Sequence, residues 1–162
     1  MNINKSPTDL RRVTMLVNDI KPCLEIYHGI LGMQIHYDEI VEMQGIALPA
    51  GIKGSTNRAR LVILKANHDY VGMLGILEYQ DPPLSGPIPK KERLNIGDCV
   101  FVSMVEDAAK VYNQLQHIPG VRILSEPTLH EYPNKDGAPY TILGFTFFDP
   151  NSYFIECNQW VK

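Results

Sequence analysis

The fold is decided by the stretch Arg12-Val13-Thr14-Met15-Leu16-Val17-Asn18-Asp19, because the chain repeats it. The second copy reads Asp98-Cys99-Val100-Phe101-Val102-Ser103-Met104, and a run with helical spacing follows both copies. Each half then continues through extended segments and closes on an apolar strand with an acid near its end, Glu78 in the first half and Glu156 in the second. Because each copy of such a repeat is one supersecondary unit, the repeat fixes the architecture. The sequence therefore predicts two strand–helix–strand–strand–strand modules.

Length, charge and cysteine usage limit the classes of function. The chain has 162 residues, enough for one domain with a substantial core. Its formal net charge of -3, without a basic run, argues against nucleic acid as a partner. No apolar stretch approaches the roughly 20 residues that span a bilayer, so we expect no membrane. Residues 1–7 lack the apolar core of a signal peptide, and Cys23, Cys99 and Cys157 are scattered, which favours reduced thiols in the cytoplasm.

Proline and glycine residues indicate where the loops and the linker of the chain lie. Residues 1–9 are predicted to be a loose or docked arm and residues 46–57 a loop. Residues 80–95 contain four prolines, which predicts an extended linker. Within a single domain, module one is therefore placed at about residues 10–79 and module two at about residues 96–160.

The start of module one shows a clear alternation. Val13, Met15 and Val17 share one face of the predicted strand and should pack on the following helix, so Arg12 should point to the opposite face. The helix that follows is predicted to end at Gly32, a residue that tolerates the left-handed conformation of a helix C-terminus.

The start of module two is read in the same way. Its first strand is predicted at residues 98–102, and residues 103–106 form a capping-box pattern, in which Ser103 caps the following helix. Cys99 and Cys157 fall on strands that should be neighbours, and we expect both thiols to pack in the core.

The order of these segments resembles the vicinal oxygen chelate superfamily, which includes glyoxalase I, bleomycin- and fosfomycin-resistance proteins, extradiol dioxygenases and methylmalonyl-CoA epimerase. The resemblance covers residues 10–160. It is carried by residues 13–19, Tyr27 and Leu31-Gly32 in the first half, and by Phe147-Phe148-Asp149-Pro150-Asn151-Ser152 and Phe154-Ile155-Glu156 in the second. It implies an α+β fold of paired βαβββ modules, with strands in the order first, fourth, third, second, that form an incomplete barrel around a cleft. A homodimer is also expected, because open sheets leave edges that need covering.

Many members of the superfamily hold a divalent metal between the first strand and the last strand of each module. The resemblance places these four ligand positions at Arg12, Asp98 (or Gly97 if the strand is shifted by one residue), Gly75 and Glu156. A guanidinium has no lone pair to offer, so Arg12 is not a ligand. Glu78 could replace Gly75 only through a register slip, since strand alternation puts it on the opposite face. We therefore predict no metal ligands and no cofactor, with a divalent metal as the alternative.

The remaining site residues follow from chemistry and position. Glu156 is predicted to be a catalytic acid or base. Arg12 is either a surface residue beside Arg11 or a cation that replaces the metal and pairs with Glu156 or with a ligand oxygen. His130, on a predicted strand, is a second candidate acid or base. Asp98 and Tyr132 complete the predicted ligand-binding residues.

Two functions remain open. The first is an enzyme of the lyase, isomerase or dioxygenase kind that acts on a small oxygenated or aromatic molecule in the cleft. The second is a non-catalytic, metal-free protein that sequesters such a compound, as bleomycin-resistance proteins do. A shared fold does not choose between them, because function depends on the site.

Overall fold

The computed structural model describes residues 9–43, 55–84, 88, 90–135 and 137–161. Nearly all of the predicted N-terminal arm, most of the predicted loop at residues 46–57 and part of the predicted linker lie outside these residues. The described residues form two four-stranded sheets, with the strand orders β1-β4-β3-β2 and β5-β8-β7-β6. In each sheet the first strand is parallel to the fourth, and the other neighbours are antiparallel. This is the predicted order of paired βαβββ modules.

Module one carries four strands and one helix. Its elements are β1 (Arg12–Val17), α1 (Ile20–Cys23), which continues as a π-helix (Leu24–Ile30), β2 (Gln34–Glu42), β3 (Arg58–Lys65) and β4 (Met73–Asp81). On β1 the predicted alternation is present, because Met15 and Val17 are buried whereas Arg12 is exposed. The π-helix is followed by Gly32 with φ 74°, the left-handed conformation expected of the terminating glycine.

Module two repeats this pattern. Its elements are β5 (Val100–Met104), α2 (Ala108–Leu115), β6 (Arg122–Tyr132), β7 (Tyr140–Phe148) and β8 (Phe154–Val161). The strand β6 is long and irregular, and its register with β7 shifts on both sides of Ser125. Such bulges bend a strand without ending it.

By internal contacts the described chain divides into two compact units. One contains residues 9–20 and 32–84, and the other contains residues 21–31 and 88–161. The helix that belongs to module one in the repeat is thus grouped with module two by contacts. There it contacts α2.

The first strand of module two begins later than the sequence predicted. The strand starts at Val100, and Asp98 precedes it in a turn in which the Asp98 backbone N–H donates to the carbonyl of Asn95 (3.1 Å). The turn includes Gly97 at φ 96°, a conformation that keeps the chain out of the ladder. Cys99 consequently lies outside β5 and is exposed, so the prediction that it packs in the core was wrong; Cys157 is buried as predicted.

The cap of α2 also differs from the prediction. Ser103 lies within β5, where it is paired with Cys157 in the ladder to β8. Asp107 caps the helix instead, because its extended backbone lets its carboxylate accept from the backbone N–H of Lys110 (2.9 Å). Strand pairing with β8 continues to Met104 and so delays the start of the helix.

Candidate functional site

The module-two sheet has one closed face. Its closed face carries Phe145, Phe147, Ile155 and Cys157, all fully buried. The helix α2 lies on this side, where the ring of Tyr112 meets that of Phe145 edge-on, with centroids 5.6 Å apart. Because strand side chains alternate, residues one position away point to the opposite face. That opposite face holds most of the predicted site residues of module two.

We call this opposite side the Glu156 face, defined by the row of Val102, Glu156 and Thr146 on three adjacent strands. Glu156 is half-buried. Val102 on the edge strand β5 is 59% exposed, and Val100 and Met104 beside it are exposed to a similar degree. Three exposed apolar side chains next to a half-buried acid form an amphipathic surface suited to a small ligand.

The carboxylate of Glu156 is held by its neighbour on the same strand. The side-chain amide Nδ2 of Asn158 donates to Glu156 Oε1 at 2.6 Å. One strand further along the row, the hydroxyls of Thr146 and Ser125 are hydrogen-bonded at 2.9 Å, and Ser125 Oγ also accepts from the Thr146 backbone N–H (3.0 Å). The middle of the face is therefore a polar stripe of fixed hydrogen bonds.

An aromatic group lies at one end of the Glu156 face. The ring of Tyr132 stacks on Tyr140, with centroids 5.5 Å apart, and Tyr140 meets Trp160 edge-on at 5.1 Å. All three side chains are exposed, Trp160 by 55%. We call this group the aromatic cluster; it contains the predicted ligand-binding residue Tyr132.

His130 is on the same face but is not brought to Glu156. It is paired with Ile142 on β7, whereas Glu156 is paired with Thr146, four residues further along that strand. Strand rise and spacing then put the two Cα atoms roughly 15 Å apart. A small substrate at Glu156 would not reach His130 at the same time, and the catalytic role of His130 stays a prediction.

A fixed cation lies at the other end of the face. The guanidinium of Arg122 is over the ring of Phe148, with its Cζ 4.8 Å from the centroid. Its Nη1 donates to the backbone carbonyl of Lys91 at 2.5 Å. Its Nη2 is buried and has no hydrogen-bond partner among the residues that the structure describes. Sequence reasoning did not single out Arg122, because no motif marks a lone arginine at the start of a strand.

Asp98 is engaged by groups close to it in sequence. Its carboxylate accepts from Lys91 Nζ (2.6 Å) and from the backbone N–H of Asn95 (2.8 Å). The hydrogen bond from Lys91, followed by the one from Asn95, holds the pKa of Asp98 below its ordinary value. These bonds close the turn before β5, and a role of Asp98 in ligand binding stays a prediction.

Arg12 begins β1 in module one. A side chain on Gly75 would collide with its neighbours there, because an added Cβ would lie 2.6 Å from Thr14 Oγ1 and 3.1 Å from Arg12 Cδ. The side chains of Arg12 and Thr14 thus occupy the space beside Gly75, the position where the resemblance expects a carboxylate. Arg12 and Glu156 belong to different compact units, so their pairing stays a prediction.

Glu78 has a local structural role. Its Oε2 accepts from the backbone N–H of Ile20, the first residue of α1, at 3.1 Å. A carboxylate at this place satisfies a helix N–H that has no partner within the helix. Glu78 therefore acts at the helix start, on the face opposite Gly75, as strand alternation required.

A second buried polar group was missed by sequence reasoning. Tyr27 Oη donates to Asp149 Oδ2 at 3.1 Å, and both residues are buried. Burial is the main cause that raises the pKa of Asp149 and of Tyr27. The other oxygen of Asp149 accepts from the backbone N–H groups of Asn151 and Tyr153 (2.9 Å each), so the carboxylate organises the turn between β7 and β8.

The donor set of the described residues does not fit the metal that the fold family often holds. No group of three or more His, Cys, Asp or Glu side chains lies close enough together to ligate an ion within the described ranges. Arg12 offers no lone pair, Gly75 offers no side chain, and the carboxylate of Asp98 is bound to Lys91. Of the four family positions, only Glu156 keeps a carboxylate next to exposed surface.

Comparison with known proteins gives the fold. No family model and no curated protein matches the chain. A glyoxalase family protein from Bacillus cereus is similar over 100% of both chains, with a TM-score of 0.75 and 12% identity. The trypanothione-dependent glyoxalase I of Leishmania major has a TM-score of 0.57 and 16% identity, over 94% of this chain and 87% of that chain.

A third similar structure is a fosfomycin resistance protein from Listeria monocytogenes, solved with Mn(II) and sulfate. Its TM-score is 0.55 at 12% identity, over 95% of this chain and 93% of that chain. At such identities a structural match establishes the fold and leaves the chemistry to the site. The fold that the resemblance implied is thereby confirmed: this chain has the paired βαβββ fold seen in the glyoxalase family protein, in glyoxalase I and in the fosfomycin resistance protein.

Proposed function

We propose that this protein binds a small oxygenated or aromatic molecule, and that Glu156 moves a proton on it in a lyase- or isomerase-type reaction. A positioned carboxylate takes a proton from one atom of a substrate and returns it to another, and such a step needs no cofactor. The cleft that the sequence predicts between the modules stays a prediction.

The observation that supports this proposal is the setting of Glu156. The acid is half-buried, one of its oxygens accepts from Asn158, and the exposed side chain of Val102 lies directly beside it on β5. An apolar surface next to an oriented carboxylate provides both affinity and a proton acceptor.

The test combines a binding screen with one substitution. Small oxygenated and aromatic compounds are first screened for those that raise the melting temperature of the protein, and each one found is then assayed for conversion. Glu156→Gln keeps the size of the side chain and removes its proton-accepting charge, so conversion should fall about 100-fold or more while the melting temperature is kept.

The matched control is Glu131→Gln. Glu131 is an exposed acid on β6, paired with Thr141 and therefore on the other face of the same sheet. It should leave conversion unchanged. Conversion that survives Glu156→Gln at the parent rate would contradict the proposed role of Glu156.

The aromatic cluster favours a second candidate, a protein that sequesters an aromatic compound without converting it. Tyr132, Tyr140 and Trp160 expose ring surface on the Glu156 face. Trp160 is the single tryptophan of the chain, so its fluorescence reports directly on binding at this cluster. Quenching by compounds that are never converted, and its loss in Tyr132→Ala, would favour sequestration over catalysis.

Metal content is tested separately. We expect no stoichiometric divalent metal in protein purified without chelator, because three of the four family positions offer no available ligand. A stoichiometric transition metal that is lost in Glu156→Gln would show that Glu156 is a metal ligand. It would support a metal-dependent reaction instead of the one proposed.

Assembly and location remain proposals of the same kind. We propose a homodimer, since the edge strand β2 exposes Ile35 and Ile40. Light scattering should give twice the monomer mass, and a monomer mass over a wide concentration range would contradict it. No disulfide joins Cys23, Cys99 and Cys157, which supports the cytoplasmic proposal. No helix in the described part of the chain is long and apolar enough to cross a membrane.

A further inference from the structure

We propose that Asn158 is a positioning residue that fixes the carboxylate of Glu156, and that Gly144 is a glycine because the Asn158 amide needs its space. This inference rests on the proposed function of Glu156 and adds the residues that would orient it.

The first support is the contact itself. Asn158 and Glu156 are two residues apart on β8, so their side chains emerge side by side on the same face. The Asn158 Nδ2 to Glu156 Oε1 distance is 2.6 Å. The amide must present its nitrogen here, since a carboxylate only accepts hydrogen bonds. A charge-assisted bond of this length fixes the plane of the carboxylate.

The second support is the rigidity of Asn158. The residue is only 7% exposed, although the face around it is open. Its backbone carbonyl accepts from the backbone N–H of Val105 at 2.8 Å, just beyond β5. A buried side chain on an anchored backbone loses little further freedom when it holds a neighbour, which is what orientation of a reacting group requires.

The third support is Gly144 on the neighbouring strand β7, which is paired with Asn158. A Cβ added to Gly144 would lie 2.5 Å from Asn158 Oδ1. Gly144 is not among the glycines with positive φ, so its backbone suits any residue. Room for the Asn158 amide is therefore the reason for a glycine at this position.

The test uses two variants that break the contact in different ways. Asn158→Leu replaces the amide with an apolar group of similar size, whereas Gly144→Ala keeps Asn158 and pushes its amide aside. The matched control is Gly137→Ala, where an added Cβ would have Asn134 Nδ2 as its nearest neighbour at 3.9 Å, an ordinary contact.

The first readout does not need a substrate. A water-soluble carbodiimide with glycinamide labels carboxylates, and peptide mass spectrometry gives the rate at Glu156, with Glu131 as the internal standard. Release of the hydrogen bond from Asn158 should speed labelling of Glu156 about 3-fold or more in both variants. A 3-fold change corresponds to the lower end of the free energy that one hydrogen bond contributes. Glu131 should be labelled at the parent rate, and Asp149, which is 1% exposed, should stay unlabelled in both variants, whereas a general loosening of the fold would expose it.

The second readout is turnover of whichever compound the parent converts. Misorientation should lower kcat about 10- to 100-fold in Asn158→Leu and leave KM within about 3-fold. Unchanged labelling of Glu156, or unchanged kcat, in both variants would overturn the inference while the role of Glu156 stands. If the parent converts no compound but both variants show faster labelling of Glu156, the proposed function is overturned and the hydrogen bond is only a structural one.

Discussion

The sharpest quantitative prediction concerns the buried pair of Tyr27 and Asp149. Asp149 is 1% exposed and Tyr27 3% exposed, and the tyrosine hydroxyl donates to Asp149 Oδ2 at 3.1 Å. The substitution Tyr27→Phe removes this hydroxyl and keeps the ring. Asp149 then has one buried oxygen without its donor, while the other oxygen keeps its two backbone N–H partners, Asn151 and Tyr153.

The size of the effect follows from the charge on the acceptor. A hydrogen bond to an ionised group contributes about 1.5–3 kcal/mol, and we expect the lower half of this range because two donors remain. The free energy of unfolding should therefore fall by about 1.5–2 kcal/mol near neutral pH. For a domain of this length that corresponds to a melting temperature lower by about 3–8 °C.

The pH dependence gives the prediction a sign. Burial raises the pKa of Asp149 in the folded protein above its ordinary value of 3.8. The folded state thus holds the proton more tightly, so the contribution of this group to stability is complete below pH 3.8 and is lost as the pH rises through the folded pKa. The hydrogen bond from Tyr27 lowers the pKa of Asp149, so Tyr27→Phe should raise this pKa further. The window, meaning the pH range between 3.8 and the folded pKa of Asp149, should therefore widen. The variant should lose the most free energy of unfolding above this window, where Asp149 is charged.

Urea unfolding at several pH values measures these effects, with Asp149→Asn as the variant that cannot ionise. Tyr112→Phe is the control, because it keeps the ring contact with Phe145 and should change stability by no more than about 0.5 kcal/mol. If Tyr27→Phe loses the same free energy below and above the window, or no more than Tyr112→Phe, the charged hydrogen bond is not what stabilises the pair.

Two further predictions concern module one. Gly75→Ala should destabilise the protein by about 1–3 kcal/mol, because the new Cβ would overlap Thr14 Oγ1. Thermal unfolding measures this loss, with Gly137→Ala as the neutral control. Equal melting temperatures of the two variants would show that Thr14 moves aside freely. Tyr79→Phe should leave stability unchanged or raise it by up to about 1 kcal/mol, since the Tyr79 hydroxyl is buried and has no partner among the described residues. A loss above about 1 kcal/mol in urea unfolding would mean that this hydroxyl is bonded in solution.

The sequence was sufficient to predict the two modules because each module depends on local patterns that occur twice. Alternation on β1 placed Met15 and Val17 inside and Arg12 outside, and Gly32 ended the first helix as predicted. The strand order followed from the resemblance rather than from periodicity. The prediction failed where two local signals competed. At Ser103 the capping-box pattern predicted a helix start, but pairing with β8 continued the strand through this residue.

The site was only partly within reach of the sequence. Glu156, His130 and Tyr132 were predicted singly, and strand alternation alone could have placed Asn158 beside Glu156. Their distances depend on pairing between strands that are far apart in the chain. This pairing puts Glu156 next to Val102 on β5, whereas His130 on β6 is paired with a residue of β7 four positions from the one that pairs with Glu156. The sequence by itself determined two repeated modules and which side chains alternate on each strand, because these depend on neighbours in the chain. Only the tertiary structure decided that Asp149 meets Tyr27 and that Asn158 fits over Gly144, because such contacts depend on register and on the volume left by distant residues.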